Sequence, residues 1–210
     1  STLRHTLFPY TTLFRSSYPE TYTNLARIKI TATTFSCGDF LYYQGQAYGT
    51  VLIGTQCWMN ENLNVGNKID GATNQTDNGS IEKYCHNDDV NNCTIYGGLY
   101  QWDEIMQYVN TEGAQGICPD GWHIPTDDEW TIVVNSLGGY DVAGGKMKES
   151  GTAHWSPPNT GATNESGFTA LPAGYHLNNS SFSILGESAY LWSSTENSSS
   201  NAWCWYMFHN

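Results

Sequence analysis

The chain has 210 residues and a formal charge of −12, long enough for one sizeable core. From residue 37 onward the only basic side chains are Lys68, Lys83, Lys146 and Lys148, against all but one of the 20 carboxylates. Such a field repels phosphate backbones and anionic lipid, which excludes nucleic acid as a partner, and no apolar run approaches the ~20 residues that span a bilayer.

Residues 1–17 contain Arg4 and Arg15 but no continuous apolar core followed by a small-residue cleavage site, so they do not read as a signal peptide. The stretch 4–16, Arg-His-Thr-Leu-Phe-Pro-Tyr-Thr-Thr-Leu-Phe-Arg-Ser, resembles a translated sequencing adapter, and 1–17 are set aside as a non-native leader. Residues 18–36 read as a linker or leading strand, because over 24–35 Ile28, Ile30, Ala32 and Thr34 alternate with Lys29, Thr31 and Thr33. The domain itself is expected over 37–210. Its first element is a hairpin over 46–59, with β-branched and aromatic residues on either side of Gly49 and Gly54. A long polar excursion covers 64–95.

A helix fits 100–109, since Leu99, Trp102, Ile105, Met106 and Val109 share one face. The next begins at Thr126, where Thr126-x-x-Glu129 has capping-box spacing, Trp130, Val133, Val134 and Leu137 form the buried stripe, and Gly138-Gly139 supplies the stop. Beyond it come short extended pieces at 146–148, 168–175, 189–194 and 202–208. Strands, two helices and further strands joined by polar loops predict an α+β fold in which two helices pack on a small antiparallel sheet.

Cysteines stand at 37, 57, 85, 93, 118 and 204, with no CxxC pair and no histidine at zinc spacing, so disulfides are expected and no metal site. Cys85 with Cys93 closes a short loop, and Cys37 with Cys57 is the second pairing; Cys118 and Cys204 are left over. Two such bonds imply an oxidising, extracellular or cell-surface location.

Five ordered blocks carry a resemblance: 54–64, 96–102, 118–130, 167–174 and 192–196, including Cys118-Pro-Asp-Gly-Trp-His-Ile-Pro-Thr. Over roughly 37–208 the chain resembles the Fibrobacter succinogenes major paralogous domain. That resemblance implies a C-type lectin-like fold, similar also to the formylglycine-generating-enzyme group, in secreted or surface-attached bacterial proteins, often lipoproteins. It further implies that closing strands lie beyond Asn210, so that the domain is incomplete at its C-terminus, Cys118 lacks its usual partner and the sheet offers an unpaired edge.

Eight tryptophans in an acidic chain point to glycan binding, although Trp58, Trp102, Trp122 and Trp130 are assigned to packing. The ligand-binding candidates are Trp155, in the 151–161 loop, with Trp203 and Trp205 on the last strand, one of which is expected to face away from the core. Trp192, Glu196 and Asn197 join them, because 192–197 corresponds to the ligand loop of a lectin-like fold. Glu196 and Asn197 offer oxygens to calcium, but no acidic ladder accompanies them. Asp88-Asp89 are equally weak as ligands, Asp127-Asp128-Glu129 suit a helix first turn, and His123 is expected to have a hydrogen-bond partner. The sequence therefore predicts a non-catalytic module for polysaccharide or another surface component, with no resident cofactor and no catalytic residue. The alternatives are a formylglycine-generating-type catalyst and a structural spacer.

Overall fold

A computed structural model of the chain describes residues 35–177 and 180–210. The leader and nearly all of the strand read at 24–35 lie outside them.

The hairpin is present. β1 (Leu41–Tyr43) and β2 (Gln46–Tyr48) form one antiparallel pair, β3 (Thr50–Ile53) and β4 (Gln56–Met59) the next. Ile53 pairs with Gln56, which leaves Gly54-Thr55 as the turn. Gly54 holds φ at 62°, a left-handed conformation that costs glycine little. Cys37 and Cys57 form a disulfide with their Cα atoms 5.7 Å apart.

The polar excursion carries more structure than its composition announces. β5 (Asn67–Lys68) pairs in parallel with β6 (Glu82–Lys83), a 3-10 turn follows at His86–Asp88, and α1 (Val90–Tyr96) occupies the interval read as loop. Asp89 caps α1 by accepting from the Asn91 amide at 2.9 Å, and the Cys85–Cys93 disulfide ties the turn to the helix.

The helix expected over 100–109 is corrected to a single turn, α2 (Trp102–Ile105). Glu104 is fully buried, and its carboxylate accepts from the Glu82 amide at 2.9 Å and the Tyr108 hydroxyl at 2.7 Å. These bonds fold the chain back, and Gln107 and Tyr108 take φ of 52° and 59°. The Ile105 carbonyl, which would continue the helix, accepts instead from the Ile117 amide at 2.9 Å.

α3 (Asp127–Ser136) matches its reading. The Thr126 hydroxyl accepts from the Glu129 amide at 3.1 Å, and the Glu129 carboxylate accepts from the Thr126 amide at 2.9 Å. α4 (Tyr140–Met147) corrects the extended reading at 146–148. Gly144-Gly145 weakens the local helix signal, but a Cβ on Gly145 would lie 2.3 Å from the Gly161 carbonyl oxygen. The glycine permits close approach and does not break the helix.

β7 (Tyr175–His176) pairs with β8 (Phe182–Ser183), and β9 (Ser188–Ser198) with β10 (Asn201–Phe208). Residues 192–197 are therefore strand and not a ligand loop. In place of one small sheet, the described residues form five two-stranded pairs, β5–β6 parallel and the others antiparallel. Among the described residues the fold is mixed α and β, with four helices, small sheets and two disulfides.

Two apolar cores result. Ile53, Trp130, Val133, Met147, Trp155 and Phe168 belong to the first. Tyr48, Val65, Met106, Ile117, Cys118 and Ile124 form the second. β4 serves both, sending Trp58 to one and Met59 to the other.

Candidate functional site: a tryptophan cleft

Trp130 and Phe168 of the first core and Ile117 and Ile124 of the second line a common cleft of about 970 Å³. Five of the eight tryptophans face it: Trp58, Trp102, Trp122, Trp130 and Trp192. Backbone carbonyls fix three of these rings. Trp192 Nε1 donates to the Tyr100 carbonyl at 2.9 Å, Trp102 Nε1 to that of Ser193 at 2.8 Å, and Trp130 Nε1 to that of Trp192 at 3.3 Å. With their N–H groups committed, these indoles have only ring surface to offer a ligand.

The polar lining is acidic. Glu61, Asp103, Glu129 and Glu196 contribute carboxylates, and neither lysine nor arginine lies among the lining residues. His123 Nε2 sits 2.9 Å from both Glu129 oxygens. Burial pushes the Glu129 carboxyl up, but the Thr126 amide and the His123 imidazole outweigh it and hold the group below its ordinary value. Two buried polar atoms in the wall, Gln56 Oε1 and Trp58 Nε1, bond to no described residue.

Both free cysteines also line the cleft. Burial pushes the Cys118 thiol up to about 12 and raises that of Cys204, which disfavours the thiolate form at both.

The structure gathers only part of the expected site. Trp192 and Glu196 face the cleft; Asn197 follows Glu196 along β9 and is exposed. Trp155 is a correction: it is 1 % exposed, its Nε1 donates to the Ala170 carbonyl at 2.9 Å, and the Lys148 ammonium lies 5.3 Å from its ring centre. The loop folds it into the first core. Trp203 and Trp205 do separate, with Trp203 47 % exposed and Trp205 packed on the core. Residues two apart share a face in a regular strand, and the irregular register between Ala202 and Cys204 accounts for the difference. Trp205 stacks on Tyr140 at 5.6 Å and donates to Asp127 Oδ1 at 2.8 Å.

Trp58, Trp102, Trp122 and Trp130, assigned to packing, both pack and line the cleft. Their signal was sequence adjacency to polar lining residues, as with Gln101-Trp102-Asp103 and Trp122-His123. No cluster of three or more histidine, cysteine or acidic groups able to hold a metal ion forms among the described residues. Asp89 is engaged as a cap, and Asp88 binds the Gly71 amide at 2.9 Å and the Lys68 ammonium at 3.4 Å.

Comparison with known families decides the kinship. The description "Fibrobacter succinogenes major domain" matches residues 51–210. The chain belongs to this family. No curated protein and no solved structure matches it. Among the described residues, no helix of this family member is long and apolar enough to cross a membrane.

Proposed function

We propose that the domain is a non-catalytic module that binds a neutral polysaccharide in the tryptophan cleft, on a protein exported from the cell. One observation carries the reading: five indoles converge on a cleft whose charged lining is acidic and lacks lysine and arginine. Flat rings pack against the C–H faces of sugars, while the carboxylates and amides accept and donate to hydroxyls. An anionic polymer would meet like charge. The two disulfides support export, and the ordered motifs support a C-type lectin-like grouping. Calcium has no gathered ligand set to support it and is left out of the proposal.

The test is retention on insoluble neutral plant polysaccharide beside an anionic pectate control, with Trp122→Ala as the variant. Trp122 is half-buried on the cleft wall, and its loss should weaken retention about tenfold, the factor that ~1.4 kcal/mol represents. Retention on pectate alone, or retention indifferent to Trp122, overturns the glycan reading and leaves adhesion to a surface protein or a spacer role.

The presence of Cys118 and Cys204 on one cleft favours a second reading, catalysis of the formylglycine-generating type. Their raised pKa values oppose it. A thiol that reacts rapidly with iodoacetamide at neutral pH would revive it.

A further inference from the structure

The loop between β5 and β6 carries a side chain set up for covalent change. Asn78 is the one asparagine of the chain followed by glycine, and residues 76–80 are exposed. Its side-chain Oδ1 accepts from the Ser80 amide at 2.9 Å, while its Nδ2 donates to Glu82 Oε1 at 2.8 Å and to the Thr76 hydroxyl at 3.3 Å. The other Glu82 oxygen accepts from the Thr76 amide at 3.0 Å. Together the Asn78 amide and the Glu82 carboxylate clasp the loop onto β6. Between Asn78 and Ser80, the Gly79 N–H donates to no described residue, and a Cβ on Gly79 would meet nothing within 4 Å.

We infer that Asn78 is a self-modification site, which deamidates in the folded protein with the Gly79 backbone nitrogen as nucleophile. Hydroxide takes the Gly79 amide proton and the nitrogen attacks Asn78 Cγ. The new C–N bond closes a succinimide ring as the Cγ–Nδ2 bond breaks, and Nδ2 takes a proton from water and leaves as ammonia. Water then opens the ring at either carbonyl. Opening at Cγ gives aspartate, and opening at the main-chain carbon gives an isoaspartyl link that carries the backbone through the side chain. The Ser80 amide is aimed at the oxygen on which negative charge grows during attack, where a preformed donor lowers the barrier. The Asp-Gly pairs at 70–71 and 120–121 have the same spacing without this combination. A carboxylate is a poorer electrophile than an amide, and the Gly71 N–H is already committed to Asp88 at 2.9 Å. Either product at residue 78 replaces the donor facing Glu82 with a second carboxylate, which accepts only, so the clasp opens.

Peptide mapping of the whole folded chain, aged in mildly alkaline heavy-oxygen water, tests this. Asn78 should be the first asparagine to lose its amide, faster as pH rises, with a single heavy oxygen taken up per event and an isoaspartyl product that a protein isoaspartyl methyltransferase labels. Its rate should lie within about tenfold of the rate in guanidinium chloride, a barrier difference of ~1.4 kcal/mol. Asn78→Gln should remove the isoaspartyl label, and the aged chain should exchange the Thr76 amide proton faster than the fresh one. An Asn78 amide that persists in the folded chain and is lost only on unfolding overturns the inference. So does another asparagine modified first, or a label unchanged in the variant. Unaltered exchange at Thr76 overturns the opening of the clasp. None of these outcomes depends on glycan binding.

Discussion

Glu129 is held by two donors, and His86 is buried against a single carbonyl, so both titrate below their ordinary values but for different reasons. The Thr126 amide and His123 keep the Glu129 carboxylate below its ordinary 4.5 despite burial. Its folded pKa is depressed, so its stabilisation is complete above pH 4.5 and is lost as pH falls through the folded value. Burial depresses the His86 imidazole below 6.5, with the Ala173 carbonyl at 3.1 Å acting the other way. The unfolded chain therefore takes up the proton first, and stability declines as pH falls from 6.5 toward the folded value. Urea midpoints at stepped pH should show both limbs. His86→Gln should flatten the upper one alone and Glu129→Gln the lower one alone; a single limb unaffected by either variant would refute the assignment. Gly145→Ala belongs to the same scale: its Cβ would press on the Gly161 carbonyl, and a loss of about 1–3 kcal/mol is expected in the same urea assay.

At the scale of elements, α3 carried its own instructions. Thr126→Ala removes a bond the structure shows in place and should cost about 1 kcal/mol in chemical denaturation. The capping box, the buried stripe and the glycine stop are all local, which is why α3 was legible in the sequence. The β3–β4 turn and both disulfides were legible for the same reason. α1 was not, because its apolar side chains form no buried stripe: Val90 and Ile95 are exposed and of its residues only Cys93 is buried. The end of α2 was hidden as well, since no glycine or proline marks it and the cause is a carboxylate reaching the Glu82 amide, 22 residues away. The candidate site was half legible. Tryptophan content pointed to aromatic recognition, but which rings face the cleft depends on contacts such as that of Trp192 with Tyr100, 92 residues apart. For α1 the disulfide takes the place of a stripe: Cys85→Ser with Cys93→Ser releases the turn at His86–Asp88 and should lower stability by about 2–3 kcal/mol, read from thermal melts with and without reductant.

Among the described residues two cores meet across the cleft, and polar links join them. Trp102 and Trp192 supply two, each spanning from the α2 region to β9 by an indole N–H on a backbone carbonyl. Trp102→Phe and Trp192→Phe keep a ring in place but leave the Ser193 and Tyr100 carbonyls without that donor, a loss of about 1–3 kcal/mol each. Because the lost bonds run between cores, the double variant should also lose cooperativity. Amide exchange at Val133 would report the first core, and exchange at Met106 and Ile117 the second. Wild-type protein should show one shared opening energy, whereas the double variant should open at two. A ligand that touches both walls should bring the two energies back together, since binding stabilises the joined state by its own free energy. Equal opening energies in the double variant would mean that β4, which reaches both cores, suffices to couple them.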